Sequence, residues 1–460
     1  MSNIIGILFI SILIDFLEFT IILPLLPKIL TYYGSGIGIG HDSLYARTMS
    51  FVQFIQDITG APNDPKWNSV LFGGIIGSLF SFLQFFSSTL CGAASDRYGR
   101  KPILLLSMIG ISLSYAIWCV SLNLTVFMVA RIIGGLSKAN VAITLAIVSD
   151  STTENERNRA MAWIGAAFSL GFIFGPLLGA LCSQLGTTYW PQSTVMFFIF
   201  PAIVSLILSL INIAFISQFC PETLPVSKRD AKQTTIEDVY NAVLPWHLFK
   251  FTSIHNVKSL DDIAILRRLG LASFLYMMIF SGLEFTITFL VYNRFNWNSM
   301  QQGKMFFIMG LCMALVQGGY VRRIPHGKEI IAAMTGILIL IPSFILLGFA
   351  QSKTILWIGL ILFSIASSIV VNVINSFASK YGLESEKGTI LGIFRSLQAL
   401  ARATGPLIAS FAYWSIGEKT TYICGAIFLF CPCYILYAVQ QRFKHMRLTP
   451  IITVSEVKDD

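Results

Sequence analysis

Leu17-Glu18-Phe19-Thr20-Ile21 lies inside the first long apolar run of this chain, and the same five residues return at Leu283-Glu284-Phe285-Thr286-Ile287, again inside an apolar run. A charge in the middle of a membrane span costs about 2.5–3.5 kcal/mol on insertion scales. Two glutamates in identical settings therefore need a reason. The repeat implies two related halves, each with an ionisable group at the same depth, a layout found in membrane proteins built from internal repeats.

A second pair of landmarks tests the duplication. Gly175-Pro176-Leu177-Leu178 corresponds to Gly405-Pro406-Leu407-Ile408. Glu18 precedes Gly175 by 157 residues and Glu284 precedes Gly405 by 121. Most of the difference is one loop: 28–68 has 41 residues, and its counterpart 293–302 has 10. The halves are not equivalent. Aligning the glutamates places Asp15 opposite Ser281. Only the first half has two carboxylates three residues apart, on one helix face.

Charged residues make up 12% of the 460 residues and hydrophobic ones 55%, whereas about 25% of an ordinary soluble domain is charged. Mean hydropathy is +0.72. So few charges cannot solvate the surface of a soluble fold of this size. A helical crossing needs about 20 mainly apolar residues. Twelve segments qualify, at 4–27, 69–93, 102–121, 125–148, 160–183, 194–217, 269–292, 304–321, 329–350, 354–378, 389–413 and 420–440. They predict an all-α membrane protein with a six-helix bundle over 1–217 and another over 269–441. A cytoplasmic loop, 218–268, joins the bundles, and 442–460 is a cytoplasmic tail. With both termini inside, the inner segments hold 21 Lys and Arg and the outer segments 6, as the positive-inside rule requires. Topology thus accounts for the net charge of +9, and no nucleic-acid partner is expected. The eight cysteines show neither a disulfide framework nor metal-ligand spacing and read as small apolar residues. No metal or cofactor is expected. The first apolar run holds Asp15 and Glu18 and lacks a basic leader, so a cleaved signal peptide is not expected. A short helix is expected near Thr235–Ala242, and a partly ordered lid in 28–68.

Between the second and third segments stands Gly92-Ala93-Ala94-Ser95-Asp96-Arg97-Tyr98-Gly99-Arg100-Lys101-Pro102. Gly92 lets helices approach closely and Gly99 permits a tight turn. Asp96, Arg97 and Arg100 suit a charge lock at the cytoplasmic mouth, with Asp150, Glu154, Glu156, Arg157 and Arg159 as partners. Such a lock favours an outward-facing state and is expected to break on inward opening. The stretch resembles the G-x-x-x-D-R-x-G-R-[KR] motif of the major facilitator superfamily. Arg131-x-x-x-Gly135 resembles a second motif of that family. Gly171-x-x-x-Gly175-Pro176-x-x-Gly179 resembles the motif of its drug–proton antiporter branch, with Ala180 in place of the usual last glycine. The glycines allow close packing, and Pro176 bends the helix. Leu13-Ile14-Asp15, Pro24-Leu25-Leu26-Pro27 and Gln84-Phe85 are similar to bacterial tetracycline–proton antiporters and vesicular amine transporters. Ile133-Gly134-Gly135-Leu136-Ser137-Lys138 and Gln301-Gln302-Gly303-Lys304-Met305-Phe306-Phe307 are similar to the animal tetracycline-transporter-like proteins. The resemblance covers most of the chain. It implies secondary transport of amphipathic organic ions or drugs, organic anions favoured, by alternating access.

Charges inside the spans are the candidate site. Asp15 and Glu18 repel when both are ionised, so they suit a shared, exchangeable proton. With Glu284 they are the expected proton-coupling groups. Arg131 and Lys138 lie seven apart on the fourth span, and Arg395 and Arg402 repeat that spacing on the eleventh. These cations, with Gln84, Asn372 and Asn375, are the expected substrate contacts. The expected partners are a small organic ion, protons and the lipid of a plasma or organelle membrane, with the chain a monomer. No nucleotide loop, metal triad or nucleophile constellation is present, so catalysis is not expected. A facilitative uniporter of the same fold, and a non-transporting receptor or scaffold acting through 218–268, are the alternatives.

Overall fold

The computed structural model describes residues 3–34, 43–59, 65–225, 229, 244–252, 260–325, 327–378, 380–381 and 387–448. Among them no strand occurs. The first part of the chain forms α1 (Asn3–Thr20), α2 (Leu26–Gly34), α3 (Ser43–Thr59), α4 (Pro65–Tyr98), α5 (Arg100–Cys119), α6 (Leu124–Ser137), α7 (Asn140–Ser151), α8 (Glu154–Tyr189) and α9 (Met196–Phe219). The second forms α10 (Pro245–Lys250), α11 (Leu260–Phe295), α12 (Ser299–Gly319), α13 (Glu329–Phe349), α14 (Lys353–Ala378), α15 (Lys387–Ile416), α16 (Glu418–Phe428) and α17 (Phe430–Leu448). The expected helix near Thr235–Ala242 lies outside the described residues. The expected lid contains α3, whose Val52 packs with Leu71, Phe72 and Trp414.

Ten stretches of the described residues are helical, long and apolar enough to cross a membrane. The expected first and eleventh spans are not among them. The first is broken: α1 stops at Thr20, a turn covers 21–25, and α2 resumes at Leu26. The eleventh is α15, which carries Arg395 and Arg402. Leu106, Ile109 and Leu113 on α5, and Ile207, Leu210 and Ile211 on α9, stand exposed. Apolar surface of this extent needs lipid against it.

The fourth span is also discontinuous. The helix breaks at Lys138, which has ψ 56°, and restarts at Asn140. A break inside a membrane is tolerated only if the freed backbone groups find partners. Serines supply them: Ser87 donates to the Leu136 carbonyl, Ser107 to Ser137 O at 2.5 Å and Ser88 to Lys138 O at 3.5 Å.

Two helix pairs make most of the contact between the halves, α4 with α15 and α8 with α12. A Cβ on Gly74 would meet Ser410 and the Pro406 carbonyl, and a Cβ on Gly303 would meet Ala180 and the Pro176 carbonyl. Both proline carbonyls of the repeated Gly-Pro landmark thus face a glycine of the opposite half. At this end Trp414 is buried and donates from Nε1 to Asn68 Oδ1 at 2.9 Å.

The same faces part at the other end, which carries Asp96. Gly92 follows Gly74 by eighteen residues, and Gly392 precedes Ser410 by eighteen. Eighteen residues are five turns, about 27 Å along the same face. A Cβ at Gly92 or Gly392 would find nothing within 4 Å, and the same holds for Gly165 on α8 and Gly318 on α12. The halves form a V, closed at the Trp414 end and open at the Asp96 end. Gly74→Val overpacks the closed end, a change that typically costs about 1–3 kcal/mol. It is expected to open that end and expose a cysteine placed at the buried Leu71 to an impermeant maleimide, whereas Leu71→Cys alone stays protected.

Candidate functional site

Lys138, at the break between α6 and α7, meets Asp15 within α1. Asp15 Oδ1 accepts from Lys138 Nζ at 2.7 Å, and both side chains are at most 3% exposed. Glu18 lies one turn on, within hydrogen-bonding reach of Asp15 and close enough to feel the Lys138 charge. Asp15 Oδ2 and Glu18 Oε2 are buried with no hydrogen-bond partner. The Lys138 ammonium lies 4.9 Å from the Phe19 ring centre and 5.9 Å from that of Phe16. Arg131 stacks on Phe80 at 4.2 Å. Tyr115, buried on α5, interacts with Glu18, Asp15 and Arg131.

The glycine motif on α8 sets how closely α1 can approach. A Cβ on Gly171, Gly175 or Gly179 would run into Phe16, Thr20 or the Ile21 carbonyl respectively. Thr20 Oγ1 donates to Gly171 O at 3.1 Å. The motif and the carboxylate pair are therefore one packing unit. Pro176 lies within the α8 helix.

The second half is built differently. Glu284 lies within electrostatic range of Arg402 on α15 and of Tyr276 on its own helix, without an ion pair or hydrogen bond to either. Arg402 lies deep among protein atoms yet keeps accessible surface, as does Arg395. Exposure to lipid would be costly for a guanidinium, so these positions line the opening of the V. The lining stops at Pro406, where Gly74 covers α15. Gln84, two turns from Gly77 on α4, is half-buried without a hydrogen-bond partner among the described residues, and Gly77 itself faces Phe285. Ser281, opposite Asp15 in the repeat, is buried against Gly405.

Several expectations change. Lys138, expected to contact substrate, is taken up by Asp15. Asn375 ties helices together: its Oδ1 accepts from Gln398 Nε2 at 3.0 Å, and the same nitrogen reaches Ser273 Oγ at 3.1 Å. Asn372 is exposed and donates to Ser368 O of its own helix at 3.0 Å.

The charge lock exists, with Arg100 at its centre. Arg100 binds Asp96 at 2.7 Å, Asp150 at 2.8 Å and Ser95 Oγ at 2.7 Å. Arg97 takes no part; it is exposed, 5.5 Å from the Tyr98 ring. The side chains of Glu154 and Arg157 lie outside those described. Gly99 has φ +104°, a conformation open to glycine. The lock is intact although the halves part at its own end, against the expectation that it breaks on opening. Its members sit on α4, α5 and α7, so it ties the first half to itself. Glu222, beyond α9, accepts from the Arg100 and Lys101 amides at 3.0 and 3.2 Å. The pattern of the chain offered no signal for this contact, which spans over a hundred residues.

A sequence model of the Major Facilitator Superfamily matches residues 8–406. The chain belongs to the major facilitator superfamily. It is an integral multi-pass membrane protein of a transporter family and not an enzyme. Mouse (Mus musculus) major facilitator superfamily domain-containing protein 10 is 43% identical over 432 residues, covering 93% of this chain and 91% of its own length. The crystal structure of the human organic anion transporter MFSD10 (TETRAN) is similar with a TM-score of 0.76 and 40% identity, over 94% of this chain and 98% of that one. The Escherichia coli class B tetracycline resistance protein is 24% identical over 344 residues, covering 74% of this chain and 78% of its own length.

Proposed function

We propose that this superfamily member is a secondary transporter that moves amphipathic organic anions by alternating access and couples the movement to protons. The carrying observation is the sorting of charge: Arg395 and Arg402 are accessible in the opening between the halves, while Asp15 and Glu18 are buried. An anion entering the V meets these guanidinium groups before the buried Asp15 and Glu18 carboxylates. The human relative's description as an organic anion transporter supports the same substrate class.

In this reading the chain has twelve spans in two six-helix bundles, with both termini and the Asp96 end cytoplasmic. The state described is then inward-facing. Bound substrate competes with Glu284 for Arg402. The proton site is the Asp15–Glu18 pair. Two carboxylates and one ammonium leave a net charge of −1 in a buried place, and a proton on Glu18 removes it and donates to Asp15. Closure at the Asp96 end and parting at Trp414 complete the cycle.

Uptake of a fluorescent amphipathic sulfonate into proteoliposomes tests the proposal. Uptake is expected to follow an imposed pH gradient, and Arg402→Gln is expected to weaken apparent affinity about tenfold, the effect of roughly one charge-assisted contact. Uptake indifferent to the gradient would point to a uniporter, and absence of flux for anions and cations alike would reject transport.

A further inference from the structure

A cleft of about 510 Å³ lies where α12 ends and α13 begins, lined by Tyr320, Arg323, Ile324, Lys328, Ile331 and Thr335 among others. It is distant in sequence from the charge sites described above. Arg323 and Lys328 are exposed, and neither side chain has an ion-pair or hydrogen-bond partner among the described residues. Lys328 also occupies the N-cap position of α13, without a side-chain capping bond, where the helix dipole is already positive. Glu329 beside it does not neutralise the cleft: its carboxylate is bonded to Lys380 and accepts from the Gly327 amide at 2.7 Å. Tyr320 and Ile331, each about half exposed, extend the cleft as an apolar wall.

The corresponding turn of the first half is self-neutralised. There Arg100 is held by Asp96 and Asp150, and the first amides of α5 by Glu222. Between α12 and α13 the chain reads Tyr320-Val321-Arg322-Arg323-Ile324-Pro325-His326-Gly327-Lys328, with no acid. Two bare cations and a helix start converge on one cleft at the end of two spans, with an apolar wall running toward the bilayer.

We propose that this cleft binds the headgroup of an anionic phospholipid, its phosphate between Arg323 and Lys328 and its acyl chain along Ile331. Cations at the edge of a span recognise such lipids by charge, and the adjoining apolar surface takes the chain.

The test is native mass spectrometry of the full-length protein in micelles doped with phosphatidylglycerol or phosphatidylcholine of the same acyl chains. The wild type is expected to retain phosphatidylglycerol preferentially. The double variant Arg323→Gln, Lys328→Gln is expected to lose that preference, with affinity reduced on the order of tenfold or more. Arg322→Gln, an exposed cation outside the cleft, is expected to keep it. Equal retention of both lipids by the wild type would overturn the proposal. So would an equal loss in Arg322→Gln, which would mark diffuse attraction to the basic turn, or full retention by the double variant.

Discussion

Asp15→Asn is expected to destabilise the protein by about 3–5 kcal/mol, the cost of removing one partner from a buried ion pair. The lost attraction is the smaller part of that cost. The larger part is the Lys138 ammonium left behind, 3% exposed and bonded to Asp15 at 2.7 Å. The Phe16 and Phe19 rings offset only part of the charge. Lys138 also sits at the break between α6 and α7, so an unpaired charge there strains a segment already held by serine hydroxyls. Removing both charges by Asp15→Asn with Lys138→Met is expected to restore most of the stability, since no uncompensated charge remains. Thermal unfolding of the two single variants and the double in one detergent checks this. An unchanged midpoint for Asp15→Asn, or a double variant worse than both singles, would show that the pair does not hold α1 against the α6–α7 break.

Glu18→Gln is expected to do the opposite: little harm to the fold and loss of coupling. The amide can still donate toward Asp15, so stability is expected to stay within about 1 kcal/mol. It cannot exchange a proton, however. One pH unit across the bilayer is worth about 1.4 kcal/mol per proton, enough for tenfold accumulation. The wild type is expected to reach that order of accumulation and Glu18→Gln to stop near equal concentrations, while exchange of substrate across the bilayer persists. Tenfold accumulation by Glu18→Gln would place the coupling elsewhere, with Glu284 the next carboxylate to test.

These two results separate residues that sequence alone treats alike. Asp15 and Glu18 are three apart on one helix face, so their neighbourhood is legible in the chain. Which of them is ion-paired is not, because Lys138 arrives from a helix over a hundred residues away and only where that helix breaks. The same holds for the lock. The Asp96–Arg100 bond spans one helix turn and is written in the motif, whereas Asp150 and Glu222 reach it by tertiary packing. Arg97 matched the motif as well as Arg100 did, but α4 turns it outward.

The expectation about opening failed for a related reason. A motif shows which charges can pair and not which bodies they join, and here all its partners belong to one half. The repeated Leu-Glu-Phe-Thr-Ile pointed to two related halves, and the Gly-Pro repeat marked residues that pack between them. Hydropathy determined that the chain is membrane-embedded, since apolar segments of span length have no other stable place. Tertiary structure alone decided that the seam is closed at Trp414 and open at Asp96, and that Arg395 and Arg402 are accessible while Lys138 is not. Helix periodicity places a residue on a face; what covers that face depends on how the two halves lean, and no local pattern encodes that angle.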